Sequence, residues 1–375
     1  MNELHIDKTH WKKTKIGDLL YKTECNNKEH ASKLYNRFIK MEHLDANSLN
    51  IHRWGDSTIE DIPPTFYKIF KEGQILYPTR NPQLRRAALA SFDGICGEKT
   101  LTLSLIDGCD GYIPFIANVF HSNAFVEYTT NARIGSTNPH IRWRDVADFE
   151  FLLPPKAEQK RLAELLWAAD EVVEKEKREL ERVEEYRKLT FEQHTSKQAN
   201  AKLSDCLIVS KKKSKAPHNF DNYIGLEHIG SSAYTTTQHG NPQDVLADSY
   251  IFKKGDLLYS KLRPYLDKCI ISDFDGICST EIIVYDTKPN TSKEYILNVL
   301  HSKAFLDYIV DKSFGTKMPR VSHELVSDYE LYLPSKKEQD EILTIIENII
   351  NQEKRLREQI ALSQQIKQEL INKVY

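Results

Sequence analysis

Two long stretches of the chain carry apolar residues at alternating steps of three and four positions. In the first, from Lys156 to about Lys197, these are Leu162, Leu166, Ala169, Val173, Leu180 and Val183, with one acidic slot at Glu176. In the second, from Lys336 to Tyr375, Ile342, Ile346, Ile349, Leu356, Ile360 and Ile366 repeat the pattern with wider gaps, seven positions after Ile349 and six after Ile360. Neither stretch contains Gly or Pro and strong helix formers dominate both, so the pattern predicts two long helices, each with a coiled-coil seam. A helix of about 40 residues is roughly 60 Å long, and so narrow a stripe is stable only beneath a partner. The simplest partner for each helix is the other, paired antiparallel.

Ahead of each helix the period shortens. Gln74 to Tyr77, Thr100 to Leu105, Asp256 to Tyr259 and Glu281 to Tyr285 are short apolar runs rich in β-formers, broken by Gly, Pro, Asn and Asp. Each half therefore begins as a mixed globule. The expected fold class is α+β: two pseudo-symmetric domains of mixed α/β structure, separated by two long antiparallel coiled-coil helices.

The halves are copies of one another. SFDGIC (Ser91 to Cys96) returns as DFDGIC (Asp273 to Cys278), and KEGQILYPTRNPQL (Lys71 to Leu84) as KKGDLLYSKLRPYL (Lys253 to Leu266), both at an offset of 182. HSNAFVEY (His121 to Tyr128) matches HSKAFLDY (His301 to Tyr308), and LLPPKAEQ (Leu152 to Gln159) matches LYLPSKKEQ (Leu331 to Gln339) around Pro154 and Pro334, now at an offset of 180. A period this long means two domains rather than a solenoid. Asp93-Gly94 and Asp275-Gly276 read as tight turns in which Gly supplies a positive φ. Cys96 and Cys278 read as small buried hydrophobes, and His121 and His301 as packing or capping residues at helix starts.

Composition narrows the chemistry. With 52 Lys and Arg against 54 Asp and Glu, the formal net charge is −2, so a basic nucleic-acid footprint exists only as local clusters. No apolar run approaches the ~18 residues of a membrane span and the start has no signal core, which makes the cytoplasm the expected compartment. The six cysteines include no C-x-x-C pair. There is no phosphate-binding loop, no dinucleotide turn and no Asn-Pro-Pro-aromatic run of an adenine methyltransferase. Asp93, Glu98 and Lys99 only loosely suggest a nuclease.

These segments together resemble the specificity subunit of type I restriction-modification enzymes over essentially the whole chain. ILYPTRNPQLRRAALASFDGIC, LLYSKLRPYLDKCIISDFDGICSTE, LLPPKAEQKRLAELL and YLPSKKEQDEIL carry the resemblance. The last two resemble the family's Leu-Pro-Pro-x-x-Glu-Gln lead into each conserved helix, with Ser335 where a second proline is usual. The resemblance implies target recognition domains at 1–153 and 200–333 and conserved long helices at 154–199 and 334–375. It implies a subunit without catalytic residues or a bound cofactor, which reads one half of a bipartite double-stranded DNA target with each domain. Two modification (methyltransferase) subunits using S-adenosylmethionine would dock on it, and restriction subunits using ATP and Mg would complete the enzyme.

Phosphates are held by Lys and Arg, while base edges are read by Arg, Lys, Asn, Gln, Ser and Thr. In copy one the candidates are Thr79, Arg80, Asn81, Gln83, Arg85 and Arg86, then Ser136, Thr137 and Asn138, with Arg142. In copy two they are Lys261, Arg263, Tyr265 and Lys268, then Thr316, Lys317 and Arg320, with Lys211 and Lys213 from a basic run that reads as a phosphate contact or a solvated loop. These loops diverge while their flanks stay alike, as a shared scaffold with two specificities requires. The competing readings are a coiled-coil scaffold that binds proteins, and a self-sufficient nuclease or methyltransferase, which the missing motifs oppose.

Overall fold

The computed structural model describes residues 6–27, 31–135, 139–315 and 318–375. The chain forms two compact units: Met1–Arg178 together with Glu358–Tyr375, and Glu179–Arg357. The two long helices, Lys156–Thr195 and Lys336–Val374, each contribute a segment to both units.

In unit 1 a four-stranded sheet has the order Leu20–Lys22, Thr100–Leu105, Ile75–Pro78, Ala88–Leu89. A second runs Gly55–Asp56, Arg37–Ile39, Gly94–Gly97, Phe66–Phe70. Unit 2 repeats the first sheet strand for strand, with Leu207–Ser210, Ile282–Thr287, Leu257–Ser260 and Cys269–Ile271. Its second sheet keeps the parallel pair, Tyr223–Ile224 beside Gly276–Cys278, but there Tyr223–Ile224 is an edge strand, and the other edge is a different strand, Lys213–Ser214, against Ser249–Phe252. The basic run thus lies partly on a sheet edge, where lysines also discourage stray pairing.

The recurring hexapeptide leads into the last strand, in chain order, of the second sheet, Gly94–Gly97 in unit 1 and Gly276–Cys278 in unit 2. Asp93 accepts from the N–H of Glu72 at 2.8 Å, and Asp275 from the N–H of Lys254 at 2.6 Å. Neither glycine that follows has a positive φ; the preceding glycine of each copy, Gly73 and Gly255, does, at 81° and 85°. Gly94 and Gly276 are required by crowding instead: a Cβ on Gly276 would lie 2.5 Å from the Asn222 carbonyl oxygen, and one on Gly94 2.8 Å from that of Arg37. Cys96 and Cys278 are fully buried, and burial pushes the Cys96 thiol up to about 12. Ser122 and Ser302 cap the helices that follow the two histidines, each accepting an N–H at 3.3 Å.

The Glu-Gln pair that begins each long helix has a defined task. Gln159 and Gln339 are wholly buried. The Gln159 amide donates to the carbonyls of Pro154 (2.9 Å) and Asp110 (2.8 Å), and the Gln339 amide to those of Pro334 (2.9 Å) and Asn290 (3.1 Å). Each helix start is thereby fastened to its globule by groups that would otherwise be unpaired. Ser335 replaces the second proline with a capping box: its N–H and hydroxyl donate to the Glu338 carboxylate at 3.0 and 2.7 Å.

Within each unit the helix segments run antiparallel. In unit 1 Glu176, the acidic slot, accepts from Gln359 at 2.7 Å and Ser363 at 3.1 Å. The seam departs from the apolar pattern at Ile366, which is 54% exposed, while its neighbour Lys367 is buried. Lys367 meets Asp170 there, and the segment ends with Ile371 and Val374 in the core of unit 1.

Candidate nucleic-acid interface

The most conspicuous shared feature outside the cores is a strained one-turn helix. Pro82–Leu84 is bracketed by Asn81 and Arg85 at φ 53° and 49°, and Pro264–Leu266 by Arg263 and Asp267 at φ 51° and 50°. Side chains other than glycine resist this region, at about 1 kcal/mol or more per residue. Surrounding bonds hold the conformation: the Arg85 carbonyl accepts from Asn47 N–H at 3.0 Å, and that of Asp267 from Ser232 N–H at 2.8 Å. The Pro-x-x motif therefore projects from each unit in one fixed shape, carrying side chains that differ.

A second loop lies alongside in each unit. Arg80 and Ile134 both bridge to His140, as Leu262 and Phe314 bridge to Arg320. Ile141 N–H donates to the Thr79 carbonyl at 3.0 Å, and Val321 N–H to that of Lys261 at 2.9 Å. The residues that flank the second divergent stretch, Ile134 with His140 and Phe314 with Arg320, thus lie against the segment that leads into the Pro-x-x turn, although more than 50 residues separate them in the chain. Ser136, Thr137, Asn138, Thr316 and Lys317 lie outside the described residues.

In each unit a cleft adjoins the segment that leads into the Pro-x-x turn, at Arg80 and at Lys261. In unit 1 it is about 280 Å³ and is lined by Ile39, Met41, Phe66, Arg80 and Lys99 among others. In unit 2 it is about 520 Å³ and brings together Lys211, Lys213, Lys261 and Arg320, four of the predicted cations, with Glu281. The floor in unit 1 is braced by Lys68, which sequence reasoning missed: buried, it donates to the carbonyls of Thr100 (2.7 Å) and Glu98 (3.2 Å), and burial lowers its pKa. Nothing in the run Phe66–Phe70 marks that lysine as internal, because its partners come from another strand.

The remaining candidates divide by what they touch. Asn81, Gln83, Arg263 and Tyr265 are exposed, Tyr265 at 54%. Arg142 is tied to Asp145 at 2.8 and 3.2 Å, a pairing that raises its pKa and lowers that of Asp145. Four side chains expected to face DNA bond within the protein instead. Thr79 is buried and donates to the Lys99 carbonyl at 2.9 Å. Arg85 donates to the His121 carbonyl at 2.6 Å and to Asn123 Oδ1 at 2.5 Å. Arg86 and Lys268, at the repeat offset, hold the carbonyls of Met41 (3.2 Å) and Leu226 (2.6 Å), so these basic residues tie down a neighbouring turn in both copies.

Among the described residues no group of three or more His, Cys, Asp or Glu is placed to hold a metal ion, and no helix is long and apolar enough to cross a membrane.

The sequence matches a known family twice, over residues 8–185 and 200–368: the Type I restriction modification DNA specificity domain. The chain is 27% identical over 266 residues to the Type I restriction enzyme EcoDI specificity subunit of Escherichia coli, a match spanning 59% of each protein. It is 33% identical over 101 residues to the HindI specificity subunit of Haemophilus influenzae, covering 25% of this chain and 22% of that one. The matched part thus falls short of two thirds of either curated relative. Among solved structures, the fold is similar to the type I restriction-modification S subunit from M. genitalium, with a TM-score of 0.50 and 15% identity over 99% of this chain and 98% of that one. A chain from a structure described as showing complex assembly and conformational transition of the type I R-M system gives 0.58 at 14% identity over 97% of both. At such identities the likeness is one of fold.

Proposed function

The chain belongs to the family of type I restriction-modification DNA specificity subunits, and on that premise we propose that it reads a bipartite, gapped double-stranded DNA target, one half-site with each recognition domain. The recognition domains are 1–153 and 200–333, and the long helices at 154–199 and 334–375 set the gap and dock two methyltransferase subunits. The chain supplies recognition and no chemistry. S-adenosylmethionine is used by the modification subunits, and ATP with Mg by restriction subunits where these join, in the cytoplasm.

The observation that carries this reading is the recurrence, in both units, of one scaffold presenting different side chains: a Pro-x-x turn held in the same strained shape, a second segment bridged to the residue before it, and a cleft at the segment that leads into the turn. A scaffold that is duplicated while its projecting groups diverge is suited to reading two unlike half-sites. Cations are gathered at the cleft although the net charge is −2, so affinity is expected to depend on salt through local phosphate contacts.

Mapping methylated adenines in cells with and without the gene, the partner modification gene being expressed, tests the reading. A gapped motif that disappears on deletion is expected; an unchanged methylome refutes it. Exchanging residues 80–86 should then alter one half of the motif only.

A further inference from the structure

Lys99 and Glu281 occupy the same place in the two units. Each ends the turn before a central strand, and each carbonyl accepts an N–H at 2.8 Å, from Thr79 and Lys261 respectively. The charge at this place is therefore inverted between the copies. Glu281 sits in the cleft among Lys211, Lys213, Lys261 and Arg320, whereas Lys99 and His140 stand at the places of Glu281 and Arg320 in unit 1.

A carboxylate on a surface that meets phosphates is repelled by them, and it weakens the attraction of the surrounding cations. It is useful there where it accepts a hydrogen bond from a base amine, and the cytosine N4 amine is the group the major groove offers to Glu. Arg320 holds Glu281 at two points, Nη2 to Oε1 at 3.2 Å and Nε to Oε2 at 3.4 Å, with side chains 50% and 32% exposed. This pairing leaves guanidinium N–H groups and carboxylate lone pairs unused, since Arg carries five donors and a carboxylate about four acceptor sites. The cleft's other carboxylate, Glu324, is engaged by Ser322.

We propose that Glu281 and Arg320 together read one C·G base pair in the half-site of unit 2, the carboxylate accepting from cytosine N4 and the guanidinium donating to guanine O6 and N7. This rests on the DNA-reading function proposed above. It makes Glu281, and by symmetry Lys99, a position at which the two half-sites differ.

The test maps methylated motifs in cells expressing the modification subunit with the unaltered chain, Glu281→Gln or Glu281→Lys. Expected is a change at one base pair of one half-site, with discrimination at that pair falling roughly 5- to 150-fold and the other half unaltered. If the unaltered chain yields no gapped motif, the function itself is refuted. If it yields one and neither variant changes it, or the changed pair is not C·G, the assignment to Glu281 is overturned. Should a variant abolish methylation, the purified complex is titrated with four duplexes differing at that pair: equalised affinities support the assignment, and a retained preference overturns it.

Discussion

Arg187 and Glu353, on different long helices, form a buried ion pair with Nε 2.6 Å from Oε1 and side chains 4% and 3% exposed. Unit 1 has its own version in Lys367 and Asp170. The two cations are 180 positions apart, the offset of the helices themselves, and each also reaches its globule: Arg187 the Tyr234 hydroxyl, Lys367 the Asn47 carbonyl. The pairs fix helix register and fasten the helices to the domain at one point.

Breaking such a pair strands a charge. Arg187→Ala or Glu353→Ala should lower the stability of unit 2 by about 3–5 kcal/mol, while Arg187→Met with Glu353→Leu should come within about 1 kcal/mol of the parent or exceed it, since both desolvation costs vanish together. Denaturant-dependent hydrogen exchange in residues 179–195 and 336–357 reads this. A double variant as unstable as the singles would contradict it.

His121 gives unit 1 a pH dependence. Its ring is buried, with Nε2 on the Ala87 carbonyl at 3.1 Å and Nδ1 without a partner among the described residues. Burial, with Lys367 and Arg85 nearby, drives its pKa down to about 3. The unfolded chain takes up this proton near pH 6.5 and the folded one does not, so stability is full above 6.5 and falls as pH drops towards 3, at up to about 1.4 kcal/mol per pH unit. All four tryptophans, Trp11, Trp54, Trp143 and Trp167, lie in unit 1, so urea unfolding followed by their fluorescence isolates it. Replacing His121 by Gln should flatten the slope; an unchanged slope would assign the dependence elsewhere.

The long helices were legible because their pattern is local and sustained. The seam departs from the apolar pattern at Ile366 because a buried cation, Lys367, takes the inward position there, and a charge within an apolar stripe reads as solvent-facing until its partner Asp170 is seen. Repeat matching located the divergent loops, yet which of their residues face outward depends on distant partners. Arg85 and Arg86 look like base readers in sequence, but their acceptors at His121 and Met41 come from segments with no local signal. The same holds for Gly94 and Gly276, whose neighbours Arg37 and Asn222 lie over 50 residues away.

The two kinds of glycine should respond differently to a methyl group. Gly255 has φ +85°, and its added Cβ would meet only Lys293 Nζ at 3.9 Å, so Gly255→Ala should cost about 1–2 kcal/mol of backbone strain. Gly276→Ala forces backbone apart at the parallel strand pair and should cost more, beyond the ~1–3 kcal/mol typical of overpacking. Comparing urea midpoints of the two variants, with hydrogen exchange at Tyr223–Ile224 as the local readout, decides it; equal losses would mean that Gly276 is not held by crowding.

Scaffold and recognition cations should separate by experiment. Lys268 is bonded to the Leu226 carbonyl, whereas Arg263 and Tyr265 are exposed on the strained turn. Lys268→Ala should therefore destabilise unit 2 by about 1–3 kcal/mol through the carbonyl left without its donor, with the methylated motif unchanged. Arg263→Ala should leave stability within about 0.5 kcal/mol of the parent and weaken duplex binding by the assembled complex. If Arg263 holds a phosphate, the slope of log K against log salt falls by about 1 and all sequences weaken alike; if it reads a base, the slope holds and one position of the unit 2 half-site relaxes. Thermal unfolding and salt-dependent titrations on the same preparations measure both. Loss of stability in Arg263→Ala with binding intact would remove the turn from the interface.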